Sequence, residues 1–255
     1  MDSAAWLNEL GRFVNPGAAM AKWLDVDDVD EWQHEFLADM LFNRPMELVA
    51  FASRQGGKSS VIAVGATLRI EMKPRTLIAI VSPAVTQSDE LMRKALDFRS
   101  SLTGVNETTR LNSTTLELRN GSRLVIKPAG HRTGVRGLSQ LDTLIVDEAA
   151  QIEEEDWSGM TPAINEDGGQ LIVASTPWSR SGRFMEMVRN PKIKTITARA
   201  DLIARRAAYV EQQRTRLSDR EFQREIMLEP SAAGQTFFSL DRVDQSVVHG
   251  GGLVL

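Results

Sequence analysis

The run Ser53-Arg54-Gln55-Gly56-Gly57-Lys58-Ser59-Ser60 carries the residue types that bind a polyphosphate. It lies between an apolar run and a helical pattern, so its backbone N–H groups can converge on one anion. Gly56 and Gly57 permit the turn and the close approach that this requires. Lys58 then reaches the β- and γ-phosphates, and Ser59 supplies a hydroxyl for Mg2+. The helix opened by Ser59 and Ser60 turns its positive end toward the anion. The fit is incomplete: Ala52 stands where the usual pattern opens with glycine, and Arg54 sits inside the turn. A short Gly-Gly-Lys-Ser string also recurs by chance in strand-to-helix turns.

A second stretch, "LDTLIVDEAA", supplies what the loop lacks. A buried apolar strand delivers Asp147 and Glu148 at its C-terminal end, where open α/β sheets bind ligands. Asp147 is placed to hold magnesium through water beside Ser59. Glu148 faces the other way and can orient or deprotonate a water attacking the γ-phosphate. The plainer alternative is that both carboxylates cap the helix that follows. A further strand ends in Ser175-Thr176-Pro177, where hydroxyls could sense the γ-phosphate, although such a triplet is also an ordinary turn before a helix.

The elements that must hold these groups are legible as a pattern. Apolar runs at 46–51, 76–82, 142–147 and 170–175 have the composition of strands buried on both faces. Helical patterns follow at 57–70, 87–102 and 153–164, which predicts an α/β doubly wound, mainly parallel sheet. Residues 114–127 predict a hairpin turning at Asn120-Gly121, an insertion or an edge of that sheet. Ahead of the sheet, Trp32, Phe36 and Met40 recur at helical spacing behind an acidic start. The expected organisation is an ATPase-type core with its N-terminal helical segment over 1–199, a charged helical lid over 200–245, and the start of a linker over 246–255. Glu153 to Asp156 face different ways at a helix start and read as a solvated cap rather than a metal cluster.

Composition excludes several other chemistries. The 255 residues include no cysteine, which removes disulfides, thiolate zinc sites and cysteine nucleophiles. His34, His131 and His249 are far apart and form no metal-ligand spacing. No apolar run reaches the ~20 residues of a membrane span, and the N-terminus lacks the build of a signal peptide. A formal net charge of −4 does not mark a uniformly basic nucleic-acid binder.

Taken in order, "EWQHEFL", "SRQGGKS", "VSPAVTQSDE", "RGLSQLDTLIVDEA", "ASTPWSRSGRF" and "FQREIMLEPSAAGQTFFSLDRV" resemble the ATPase domain of the large terminase subunit, the DNA-packaging motor of tailed bacteriophages. The resemblance spans about residues 30–245. It implies an ASCE-type P-loop NTPase fold that binds ATP and Mg2+, and it counts Ala52 and Arg54 in favour of the match, because these loops commonly carry an arginine near their start. It further implies that Arg54 contacts the γ-phosphate from the same subunit. Arg136, with Arg132 as the alternative, would enter a neighbour's site, Gln33 would read adenine, and Ser175 and Thr176 would couple hydrolysis to movement. Gln87 falls in a family motif to which no role is assigned. Implied partners are viral double-stranded DNA, the portal, the small terminase subunit and further copies in a ring, in the host cytoplasm and without a membrane. The nuclease domain of full-length relatives is expected to be absent, and with it nuclease activity. A helicase-like nucleic-acid-stimulated ATPase and a non-hydrolysing ATP-binding module are the rival readings.

Overall fold

The structure, a computed structural model, describes residues 14–130 and 135–230. Its centre is an eight-stranded sheet formed by β1 (Glu47–Ala52), β2 (Leu77–Ser82), β3 (Thr108–Leu111), β4 (Thr115–Leu118), β5 (Arg123–Pro128), β6 (Thr143–Asp147), β7 (Gln170–Ser175) and β8 (Lys194–Ala198). The strand order is β3-β4-β5-β2-β6-β7-β1-β8, with β5 through β8 in that order all parallel and β4 antiparallel to both β3 and β5.

Alternation along the strands divides the core in two. Leu48, Ala50, Ile78, Ile80, Ile145 and Ile172 face one side, and Val49, Ala79, Val81, Leu144, Val146 and Val173 face the other. The first layer is covered by α1 (Pro16–Leu24), α2 (Glu31–Ala38), α3 (Lys58–Met72) and α4 (Val85–Ser100), through side chains such as Met20, Phe36, Ile62 and Phe98. The second is covered by α5 (Glu154–Met160) and α6 (Arg183–Arg189), through Trp157, Met160, Phe184 and Met187. Strands buried on both faces need this cover, which is why their sequences are continuous apolar runs.

The predicted hairpin is β4 and β5, paired Leu116 to Leu124 and turning through Gly121 at φ +84, and it lies next to the edge strand β3. The sequence pattern did not show β3 or β8. The residues of β3 are all exposed, and β8 alternates polar and apolar at the opposite edge, so neither has the apolar run that marks a central strand. The acidic run opens α5, with Glu154, Glu155 and Asp156 in its first turn, as a cap should.

After β8 the chain leaves the sheet for α7 (Ala207–Arg216) and α8 (Asp219–Glu225). Ala200, Val210, Phe222 and Ile226 form a small apolar cluster of their own there. The expectation for 231–245 and for the linker over 246–255 lies outside the described residues, as does His249. Among the described residues no helix is long and apolar enough to cross a membrane.

Candidate nucleotide site

The strand order decides what can meet. β1, β7 and β6 are neighbours, so Ala52, Ser175 and Asp147 all end on one rim, with Phe51 paired to Ser175 and Ala174 paired to Asp147. β7 therefore stands between the strand that feeds the loop and the strand that carries the acids.

The loop wraps tightly after β1. Gly56 N donates to Ser53 O at 3.1 Å, and a Cβ on Gly56 would lie 2.8 Å from that oxygen. Gly57 has φ +90, and a Cβ there would meet Gln33 Nε2 at 2.5 Å. Both positions thus require glycine. α3 begins at Lys58, whose buried ammonium donates to Ala52 O at 3.2 Å and Ser53 O at 3.3 Å and lies 3.7 Å from Glu148 Oε1.

Ser59 Oγ donates to Asp147 Oδ2 at 3.2 Å, joining the loop to the acidic strand. Asp147 is buried, and its other oxygen accepts from Glu148 N at 3.1 Å. Burial first, and the neighbouring Glu148 charge second, push the Asp147 carboxyl up to about 6. Glu148 adopts left-handed backbone, φ 49 and ψ 44, unusual for a residue with a side chain. The two carboxyls end up with separate partners. Asp147 holds Ser59, while Glu148 lies by Lys58 and accepts from Ser175 Oγ at 3.2 Å. Thr176 is buried next to Ser175.

Two cavities flank these groups. One, of about 270 Å3, is lined by residues 54–60, Lys94 and Glu148. The other, of about 280 Å3, adjoins Ser59, Gln87, Glu90, Asp147 and Glu148. Arg54, Gln55, Gly56, Gly57, Lys58, Ser59 and Ser60 all line the first.

Several expected roles meet a different geometry. Ser53 is fully buried, and its hydroxyl donates to Ile226 O at 2.7 Å and accepts from Ala200 N at 2.9 Å, so it ties the loop to the segment after β8 instead of facing a ligand. Arg54 is largely exposed, with its guanidinium 3.8 Å from Glu225. Gln33 is buried, accepts from Asp30 N at 3.0 Å and reaches Gly56 O at 3.5 Å. It braces the loop, and reading a base would require that amide to release Gly56. Arg136 falls in a single turn, Val135–Gly137. Its side chain, and all of Arg132, lie outside the described residues. His34 is a surface group bonded to Asp28 at 2.8 Å, as its isolation in sequence suggested.

The sequence reading missed Lys94, Glu90 and the contacts from the C-terminal helices. Arg206 Nη1 donates to Gln55 O at 2.7 Å, and Arg54 N donates to Glu225 O at 2.8 Å. Positions 87, 90 and 94 share one face of α4, a helical spacing that could have been read as a second wall of the site.

Comparison with known proteins places the chain in a family. The family model described as phage terminase large subunit matches residues 46–224, well over half of the chain. The chain belongs to that family. Among solved structures, it is similar to the large terminase ATPase domain of Thermus phage P74-26, at 21% identity and a TM-score of 0.62, covering 83% of this chain and 97% of that one. A large terminase of a thermophilic bacteriophage in complex with ATP-gamma-S aligns with a TM-score of 0.62 at 13% identity, over 78% of this chain and 52% of that one. The bacteriophage HK97 large terminase aligns with a TM-score of 0.61 at 18% identity, over 79% and 50%. The chain thus spans about half the length of these two terminases. Identities this low establish the shared P-loop fold. No match is found among curated proteins.

Proposed function

We propose that this domain hydrolyses Mg-ATP and uses the cycle to move viral double-stranded DNA. The observation that carries the reading is the meeting of loop and acidic strand: Ser59 Oγ lies 3.2 Å from Asp147 Oδ2, and Lys58 Nζ lies 3.7 Å from Glu148 Oε1. Family membership and the resemblance to a terminase solved with ATP-gamma-S favour ATP as the nucleotide.

The donor set suits magnesium. Ser59 and Asp147 offer hard oxygens, and among the described residues no group of three or more histidine, cysteine or acidic side chains could form a complete protein cage. Magnesium is ordinarily held in this way, by few protein oxygens together with phosphates and water. When bound it would neutralise charge on the phosphates.

The protein groups then divide the work. Loop N–H groups and the Lys58 ammonium hold the phosphates. Glu148 accepts a proton from the attacking water, and the Ser175 hydroxyl, at 3.2 Å, fixes the direction of that carboxylate. Arg54, by leaving Glu225, adds positive charge at the transferring phosphoryl group. The segment over 200–230 is a lid, since Ser53, Arg54 and Gln55 all bond it, so events at the loop reach it directly. DNA, the portal, the small subunit and sister copies in a ring, within the host cytoplasm, are the partners this function requires.

Phosphate release and nucleotide calorimetry test the proposal together. Lys58→Ala is expected to abolish binding and turnover. Glu148→Gln should retain binding while turnover falls by about a hundredfold or more. Wild-type protein that binds Mg-ATP without releasing phosphate, alone or with DNA, would make it a non-hydrolysing module.

A further inference from the structure

The second cavity poses a problem that the described side chains do not solve. Gln87 lies in the first turn of α4 and lines the cavity together with Ser59, Asp147 and Glu148. Its amide oxygen is buried and has no hydrogen-bond partner among the described residues. An unpartnered buried acceptor is destabilising, so such an atom is ordinarily met by a ligand or an ordered water. The acidic groups and Ser59 nearby are already committed. Glu90 holds Arg93 at 2.6 Å and Lys94 at 3.8 Å, Ser59 is bonded to Asp147, and Glu148 is bonded to Ser175. The cavity measures about 280 Å3 and has room for several waters.

We propose that Gln87 is a positioning residue that accepts a hydrogen bond from a water in the coordination sphere of the magnesium held by Ser59 and Asp147. The inference rests on the nucleotide-site reading above. Water bound to a dication is a strong donor, and Gln87, whose amide oxygen is unpaired, is one of the residues lining the cavity that Ser59 and Asp147 share. A neutral amide supplies an acceptor without adding a further negative charge to a cavity that Glu90, Asp147 and Glu148 already line. Partners in the second coordination shell commonly set metal affinity by ten- to a hundredfold.

The test is calorimetric titration of the whole chain with a non-hydrolysable ATP analogue, in magnesium and in EDTA, for wild type, Gln87→Leu and Gln87→Glu. Leucine keeps the bulk and removes the acceptor. Its expected effect is an affinity about tenfold weaker in magnesium and unchanged in EDTA. Glutamate retains an acceptor and is expected to restore most of the magnesium-dependent gain. Equal losses with and without magnesium, or no loss in either, overturn the role assigned to Gln87. The same holds for weakened DNA binding with unchanged magnesium dependence, which would make Gln87 a nucleic-acid contact. Lys58→Ala separates the two readings. If wild type binds and Lys58→Ala does not, the nucleotide site stands whatever Gln87 does. A wild type that binds in neither condition removes both.

Discussion

Asp147 is buried beside Glu148, and the desolvation of its charge, followed by the repulsion of its neighbour, raises its pKa from 3.8 to about 6. A raised carboxyl pKa means that the folded state holds the proton more tightly than the unfolded one. The stability this proton brings is fully present below 3.8 and is lost as pH rises through about 6. Asp147→Asn is neutral at every pH and escapes that loss. In EDTA, calorimetric unfolding should find the variant more stable than wild type at pH 8, by on the order of 2–3 kcal/mol. The two should converge near pH 4. A difference that does not vary with pH would contradict this account. The gain in stability should come with loss of magnesium-dependent turnover, since an amide is a poorer ligand for a hard cation. Glu148 illustrates the same tension in the backbone, because its left-handed conformation costs energy while aiming the carboxylate at Lys58 and Ser175.

Among the elements, α3 is anchored at both ends by charge. Its first turn carries Lys58 and Ser59, and its last turns reach Asp142, just before β6, at the rim of the sheet opposite the site. Arg69 and Arg44 each lie 3.0 Å from Asp142, and Lys73 lies 2.7 Å away. Burial pushes this carboxyl up. Hydrogen bonds from Arg69 and Lys73, with the Arg44 charge, outweigh burial and hold it well below the usual carboxylate range. Its contribution to stability is therefore present above 3.8 and is lost as pH falls through the depressed native value. Asp142→Asn leaves the two mostly buried arginines facing each other and should cost about 3 kcal/mol at pH 7. Urea unfolding at pH 7 and pH 3 checks this, with most of the cost expected to persist at pH 3, which is still above the depressed native value. None of the network is visible in sequence, because Arg44, Arg69, Lys73 and Asp142 follow no motif and meet only after the sheet is ordered. The central strands were legible because burial on both faces requires unbroken apolar runs. Lys58, Ser59, Asp147 and Glu148 were legible because each motif sits at a strand end. Adjacency in the loop suggested a ligand contact for Ser53, whereas its side chain bonds Ile226 and Ala200.

At the scale of the whole molecule, the cavity beside Lys58 draws its described positive charge from Arg54, Lys58 and Lys94, and Arg54 is drawn off by Glu225 at 3.8 Å. If the proposed function holds, a further arginine from a neighbouring copy would strengthen the site, and Arg136 is the residue the family resemblance nominates. If a neighbour supplies it, the site is completed only by association. Turnover per subunit should then rise with protein concentration, and constant turnover per subunit would argue against a shared site. Mixing gives the sharper measurement. Arg136→Ala keeps its own loop and lacks the donated arginine, whereas Lys58→Ala keeps the arginine and lacks a working loop. Each is expected to be nearly inactive alone. In a one-to-one mixture that assembles at random in a ring, about a quarter of the sites combine an intact loop with an intact neighbouring arginine. The mixture should recover activity in that proportion, and Arg132→Ala in place of Arg136→Ala should show no such recovery from a deficit. A mixture no more active than the average of its parts would place Arg136 in its own subunit or outside the chemistry altogether.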